Sequence, residues 1–98
     1  MNEFDDIIKS DKPALVDFFA TWCGPCRVQG PILEQVKSAV GDKASVIKVD
    51  IDRNPELAAR YRVQSVPTII VFKAGEPLWR AVGVQQADIL VAKLNEHI

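Results

Sequence analysis

The spacing of hydrophobic and polar residues predicts alternating helices and strands. Near the N-terminus, apolar residues at i, i+3 and i+4 predict a short helix, for which Asn2 is a suitable N-cap. These residues are Phe4, Ile7 and Ile8. After a turn at 11–13, residues 14–20 are nearly all apolar, which predicts a strand buried on both faces.

The next segment predicts a loop over 21–25 and a long helix from about Cys26 to Val40. Gly41 suits the C-terminal end of this helix, and Pro31 inside it should bend it because proline removes one backbone hydrogen bond. The expected core face of the helix consists of Ile32, Leu33, Val36 and Val40.

The second half of the chain predicts three strands and two helices. A β-branched strand covers 45–51, and Asn54-Pro55-Glu56 starts a helix that runs to about Tyr61. Strands at 68–72 and 78–82 flank a hairpin turn. A final helix runs from Gln85 to the end of the chain, with a face made of Ala87, Val91, Leu94 and Ile98.

This order of elements predicts an α/β fold with a four-stranded mixed sheet flanked by helices. The βαβ part requires a parallel crossover, and the hairpin adds an antiparallel edge.

Composition and charge narrow the function classes. The 98 residues predict a single domain over 1–98, and the net charge of −1 is spread without a basic stripe, so we expect no nucleic-acid partner. The N-terminus lacks the apolar run of a secretory signal, and no apolar run is long enough to span a membrane. We therefore expect a cytoplasmic protein that does not bind membranes.

The candidate chemistry lies at Cys23 and Cys26, where a buried strand turns into a helix. Three residues of helix separate Cα atoms by about 5 Å, within the range that a disulfide requires. So small a ring adds only about 2 kcal/mol of stability by loop entropy, which suits a bond that cycles. The helix N-terminus favours a thiolate, so we expect Cys23 to be the exposed nucleophile and Cys26 the resolving thiol.

Three other interpretations of the pair compete with a redox role. In these interpretations the pair would be a structural disulfide, part of a zinc site, or two inert buried thiols. Zinc normally requires four ligands, and the remaining soft candidate is the distant His97. A Gly-Pro turn between two cysteines is unlike core composition, which disfavours inert thiols.

Residues 16–27 read VDFFATWCGPCR, and this segment resembles the active site of the thioredoxin family. The segments PIL at 31–33, DID at 50–52 and VPT at 66–68, and then Gly83, follow in the family's order and spacing. The resemblance covers about residue 3 to the end. It implies a thioredoxin fold and a protein-disulfide reductase that works by dithiol–disulfide exchange.

The resemblance also implies roles for residues around the pair. Asp17 would accept the proton of Cys26, with Lys48 as the partner of its carboxylate; the alternative is a buried Asp–Lys pair without a kinetic role. Burial should raise the pKa of Asp17, and Lys48 should oppose that rise. Pro67 would be a cis proline beside the disulfide, rather than an ordinary trans proline that starts a strand. The implied substrate-binding residues are Trp22, Gly24, Pro25, Val66, Pro67, Gly83 and Val84.

Partners and cofactors follow from the same resemblance. A thioredoxin reductase that takes electrons from NADPH or ferredoxin would reduce the oxidised protein. Disulfide-containing proteins would be the targets of the reduced protein. No cofactor would be bound apart from the redox-active Cys23–Cys26 disulfide, and we expect a monomer. A glutaredoxin-like or oxidising relative is disfavoured by the Gly-Pro dipeptide. A redox-independent interaction module is the non-enzymatic alternative.

The sequence departs from the family pattern at several points. Phe19 stands where many thioredoxins have a second tryptophan, and Arg27 replaces a common lysine. The N-terminal strand of the usual family member is missing from the predicted elements. The resemblance therefore implies four strands in the order 45–51, 14–20, 68–72, 78–82, with 45–51 on an exposed edge. We expect Trp79, on the other edge strand, to be a packing residue.

Overall fold

The computed structural model describes residues 3–98, so the expected cap Asn2 lies outside the described part. The predicted order of elements is confirmed. The helices are α1 (Glu3–Lys9), α2 (Gly24–Val40), α3 (Pro55–Arg60) and α4 (Ala87–Asn95), with a 3₁₀ turn at Gly41–Lys43 after α2. The strands are β1 (Ala14–Phe19), β2 (Ser45–Asp50), β3 (Thr68–Lys73) and β4 (Glu76–Val82).

The four strands form one mixed sheet in the predicted order β2-β1-β3-β4. Strand β1 pairs in parallel with β2 and antiparallel with β3, while β3 and β4 form the antiparallel hairpin. As predicted, β2 is an edge strand. Strand β1 takes an inner position because almost every side chain in it is apolar and requires cover on both faces.

The two faces of the sheet carry separate hydrophobic clusters because neighbouring residues of a strand point to opposite sides. Leu15 of β1 packs with residues of α2 and α4, and Trp79 packs against this cluster as a half-buried residue. Val16 and Phe18 pack on the other face with residues of α1 and α3. Each fully buried Leu or Phe contributes about 1.5–3 kcal/mol, so both clusters stabilise the sheet that carries the site.

Helix α2 begins at Gly24, two residues earlier than expected. Cys23 is its N-cap: the backbone of this residue is extended, and its sulfur accepts a hydrogen bond from the Cys26 N–H. Pro25 in the first turn favours this early start because its ring fixes a helical φ angle. The helix runs on through Pro31 and ends, as predicted, at Gly41, where φ is 57°.

The predicted face of α4 is partly wrong. The helix ends at Asn95, and Ile98 beyond it is 52% exposed. Leu90 and Leu94 are the residues of α4 that fill the core. At the start of α3, Asn54 occupies the predicted N-cap position, but its side chain donates to the Asp50 carbonyl and makes no capping hydrogen bond.

No helix within residues 3–98 is long and apolar enough to cross a membrane.

Candidate functional site

The two cysteines meet at the start of α2, which lies just beyond the end of the inner strand β1. Cys23 and Cys26 form a disulfide, and their Cα atoms are 5.3 Å apart. The helix start alone produces this spacing, because the N-cap and the third residue after it lie almost one turn apart. The geometry therefore supports a bond that opens and closes without moving the backbone.

Both sulfurs are buried in the disulfide form, which corrects the expectation that Cys23 is exposed. Each cysteine is only 4% exposed. They pack with Ala20 in a small cluster that Phe19, Ile51 and Val66 cover from the sides. The two residues differ instead in the cavities that they line.

Cys23 lines an open groove of about 490 Å³. The Cys23 sulfur lies 3.6 Å from the carbonyl oxygen of Val66, on the opposite wall. The Val66–Pro67 peptide bond is cis, as the resemblance implied. The groove brings together four of the expected binding residues with three others from neighbouring loops. Its lining is Trp22, Cys23, Gly24, Pro25, Ile51, Gln64, Ser65 and Val66.

Trp22 presents an exposed ring beside this groove and is 67% exposed. Its indole N–H donates a 2.9 Å hydrogen bond to the Asp52 carboxylate, which holds the ring in one orientation. Sequence reasoning assigned no role to Asp52. The sequence did carry a signal for Asp52, which lies two residues after the end of β2. Strand β2 is parallel to β1 and ends at the same edge of the sheet, so Asp52 is expected near the cysteines that follow β1.

The three other expected binding residues, Pro67, Gly83 and Val84, are not among the described residues that line the groove. Gly83 is nevertheless tied to the site, since its N–H donates a 2.9 Å hydrogen bond to the Pro67 carbonyl. Its φ of 89° lies in the region that favours glycine. The chain thus turns out of β4 directly beside the cis proline.

Cys26 lines a second cavity of about 320 Å³, together with Phe19, Arg27 and Lys48. The Lys48 ammonium lies 4.4 Å from the centre of the Phe19 ring. Arg27 donates to the Thr21 carbonyl at 3.3 Å. This cavity therefore has two cationic side chains beside Cys26.

Asp17 and Lys48 are cross-strand neighbours, but the expected contact between their charged groups is not made. Neither oxygen of the fully buried Asp17 carboxylate has a hydrogen-bond partner among the described residues. Lys48 lies on the edge strand, and its long side chain keeps the ammonium at the surface over Phe19.

Burial raises the pKa of Asp17 to about 6, and the nearby charge of Lys48 opposes the rise. This agrees with the direction expected from the sequence. Asp17 lies on the α2 side of the sheet, two residues from Leu15 along β1. The α2 side of the sheet therefore carries a buried carboxyl group that changes its charge near pH 6.

Gln29 is a buried residue of α2 that sequence reasoning missed. Its side chain accepts a 2.8 Å hydrogen bond from the Gln85 N–H and donates a 3.0 Å bond to the Gln85 carbonyl. The signal was available, because Gln29 falls on the same helix face as Cys26 and Leu33 and interrupts an apolar stripe. A polar residue there requires partners.

Comparison with known proteins identifies the family of the chain. The thioredoxin family model matches residues 1–96. A thioredoxin-like protein of Synechocystis is 52% identical over 91% of this chain and 85% of its own length. A thioredoxin of Staphylococcus epidermidis is 46% identical over 99% of this chain and 92% of its own length. The chain belongs to the thioredoxin family.

Solved structures agree with this assignment. A mutant thioredoxin from Halobacterium salinarum is 37% identical and superposes with a TM-score of 0.87, covering 99% of this chain and 84% of that one. A bifunctional thioredoxin reductase/thioredoxin of Mycobacterium leprae is 44% identical over 97% of this chain, which spans 21% of that protein. This thioredoxin-family chain is a protein-disulfide oxidoreductase, and its cysteine pair supports thiol–disulfide exchange. Within the described residues, no group of three or more His, Cys, Asp or Glu is arranged to hold a metal ion.

The buried carboxyl predicts a specific dependence of stability on pH. Between pH 3.8 and about 6, the unfolded chain has lost the Asp17 proton while the folded oxidised protein keeps it. The native state then binds more protons, so stability falls as pH rises through this window. The rise in pKa from 3.8 to about 6 corresponds to about 3 kcal/mol of stability lost above pH 6. Asp17→Asn should therefore match wild type near pH 3.5 and be more stable by up to that amount at pH 7.

Urea unfolding of the two oxidised proteins across this pH range measures the difference. Asp42→Asn, which removes the same charge from an exposed residue, is the matched control and should follow the wild-type curve. Parallel curves for wild type and Asp17→Asn would show that Asp17 titrates normally.

Proposed function

We propose that residues 1–98 form one domain that acts as a general protein-disulfide reductase, with Cys23 as nucleophile and Cys26 as resolving thiol. The observation that carries the proposal is the disulfide at the N-terminus of α2, whose two equally buried cysteines line different cavities: Cys23 the groove beside Val66, and Cys26 the cavity beside Lys48. Exchange requires the two sulfurs to have different surroundings, because the target must react with one sulfur while the second is kept for the resolving step.

The proposed reaction transfers two electrons to the target in two exchange steps. The Cys23 thiolate attacks one sulfur of a target disulfide, forming a mixed disulfide and releasing the first target thiolate, which takes a proton from water. The Cys26 thiolate then attacks the Cys23 sulfur, releases the second target thiolate and closes the Cys23–Cys26 disulfide. The Cys26 N–H, which points at the Cys23 sulfur, and the helix dipole favour the first thiolate.

In this proposal Asp17 accepts the proton of Cys26 before the second step. A carboxyl with a pKa of about 6 is largely ionised at neutral pH and is a stronger base than an ordinary aspartate. Its carboxylate has no competing hydrogen-bond partner among the described residues. Lys48 adjusts the basicity through its charge, from the position above Phe19.

The proposed substrate is an extended segment of the target that lies in the groove beside Cys23. The Trp22 ring and the Val66 backbone supply apolar contact and main-chain pairing on its two walls. Gly24 and Pro25 line the helix side, while Pro67, Gly83 and Val84 extend the surface on the other side. Such a surface recognises backbone and apolar groups, which suits many targets.

The proposed electron donor is a thioredoxin reductase. The relative from Mycobacterium leprae carries reductase and thioredoxin in one polypeptide, which supports this partnership. We further propose that the protein acts as a cytoplasmic monomer on protein disulfides, with no bound cofactor and no role at nucleic acid or membranes.

Replacing the cysteines one at a time tests the assigned roles. Cys26→Ser should still attack a protein disulfide but should stall as a covalent mixed disulfide, because the resolving thiol is absent. Cys23→Ser should form no such adduct and should lose essentially all turnover. Mass spectrometry of the adducts, with a reductase-coupled insulin assay, measures both outcomes.

Comparing NADPH-linked and ferredoxin-linked reductases in the same assay identifies which class of electron donor reduces the protein.

If Cys23→Ser formed adducts through Cys26 at the rate seen for Cys26→Ser, the assignment of nucleophile and resolving thiol would be reversed. Undiminished insulin reduction by the double serine variant would refute exchange altogether.

The proton-acceptor role predicts a kinetic effect of Asp17→Asn. Attack by Cys23 should proceed normally, while release of the target from the mixed disulfide should slow by about 10²-fold, the lower range for general base catalysis. Rapid-quench trapping of the mixed disulfide from pH 6 to 9 separates the two steps. Unchanged release rates across this range would reject Asp17 as the acceptor.

A further inference from the structure

Gln29 and Gln85 form a bridge between two parts of the molecule that flank the reactive disulfide. Gln29 lies three residues after Cys26, on the same buried face of α2. Its side-chain amide pairs with both the N–H and the C=O of Gln85, as a neighbouring strand would. The Gln29 side chain, on the helix that carries the disulfide, thus forms hydrogen bonds with both backbone polar groups of Gln85, in the loop after β4.

The loop that Gln29 holds is continuous with the cis-proline wall of the site. The Gln85 side chain donates to the carbonyl oxygens of Gly83 and Val82, at 3.2 and 3.5 Å. Gly83 in turn donates to the Pro67 carbonyl at 2.9 Å. The hydrogen bonds therefore connect Pro67 to Gly83, Gly83 to Gln85, and Gln85 to α2.

This network links α2, which carries the reactive pair, to the cis-proline wall of the Cys23 groove. The helix start and the Val66 backbone form the two walls of the Cys23 groove. The bridge through Gln29 is a polar connection between α2 and the segment after β4, where the surrounding contacts between α2 and α4 are apolar. Directional bonds fix relative position more strictly than apolar packing does, because hydrogen bonds weaken steeply away from linear geometry.

We propose that Gln29 is a positioning residue that fixes the 83–85 loop relative to the disulfide helix and thereby sets the affinity for protein disulfides. The inference rests on the proposed function, since it concerns the surface on which a macromolecular target would lie. Gln29 does not touch the reacting sulfurs in this role. A small disulfide, which reaches Cys23 without covering the loop, does not depend on it.

Gln29→Met is the direct test, because methionine has a similar length and makes no comparable hydrogen bonds. Amide hydrogen exchange of Gln85 and Gly83 should accelerate in this variant. The KM for insulin should rise roughly three- to tenfold, the factor expected when about one hydrogen bond's worth of positioning is lost. The kcat for insulin and the rate with hydroxyethyl disulfide should stay within about twofold of wild type. A mutation that weakens binding of the substrate and of the transition state equally raises KM and leaves kcat unchanged.

Two further variants separate positioning from stability. Leu94→Ala, which empties part of the same α2–α4 cluster, should lower the melting temperature without changing the KM for insulin. Gln85→Ala leaves the buried amide of Gln29 in place but removes the bonds to Gly83 and Val82. It should raise the KM in the same direction by a smaller factor, and it keeps the test available if Gln29→Met does not fold.

Three results would overturn the inference, and a fourth would overturn the proposed function. A KM for insulin that stays at the wild-type value while Gln85 loses its protection from exchange would overturn the inference. An equal loss with insulin and hydroxyethyl disulfide, or a KM increase in Leu94→Ala that matches Gln29→Met, would do the same. Wild-type protein that reduced hydroxyethyl disulfide but not insulin would instead overturn the proposed function, and the inference with it.

Discussion

The active arrangement depends on how α2 begins. The Cys23 sulfur accepts a hydrogen bond from the Cys26 N–H, the role that a side-chain oxygen of serine, threonine, aspartate or asparagine commonly has at a helix N-terminus. This one contact makes the nucleophilic sulfur the cap of the helix and directs backbone N–H groups towards it. It also brings the second cysteine within disulfide distance, 5.3 Å away between Cα atoms. Activation of the thiol and closure of the disulfide therefore have the same structural origin.

At the start of α2 one contact serves both the fold and the chemistry, whereas the buried Asp17 carboxyl serves the chemistry and lowers the stability of the fold. Asp17 occupies a central strand position that an apolar residue would fill at lower free energy, and it has no hydrogen-bond partner among the described residues. The same burial that destabilises the charged form raises the pKa of Asp17 to about 6. A group that weakens the fold at neutral pH is thereby suited to receive a proton from a thiol. Such a conflict between local stability and polarity is typical of a functional position.

Local patterns in the sequence were sufficient for the strands and for the location of the disulfide. The apolar run at 14–20 predicted a strand buried on both faces, and the family resemblance supplied the sheet order and the edge position of 45–51. Side-chain pairing across the fold was harder to predict. The contacts of Gln29 with Gln85, of Trp22 with Asp52 and of Lys48 with Phe19 join residues far apart in the chain. Their geometry depends on how loops and long side chains settle after the sheet has formed.

Exchange through this site requires that the start of α2 ionises Cys23 selectively and keeps Cys26 protected. Iodoacetamide labelling of the reduced, folded protein near neutral pH, followed by peptide mapping, measures this selectivity. Cys23 should be labelled well below the ordinary thiol pKa of about 8.5, and Cys26 should stay unlabelled. Preferential labelling of Cys26, or a folded protein in which neither thiol reacts, would contradict this selectivity.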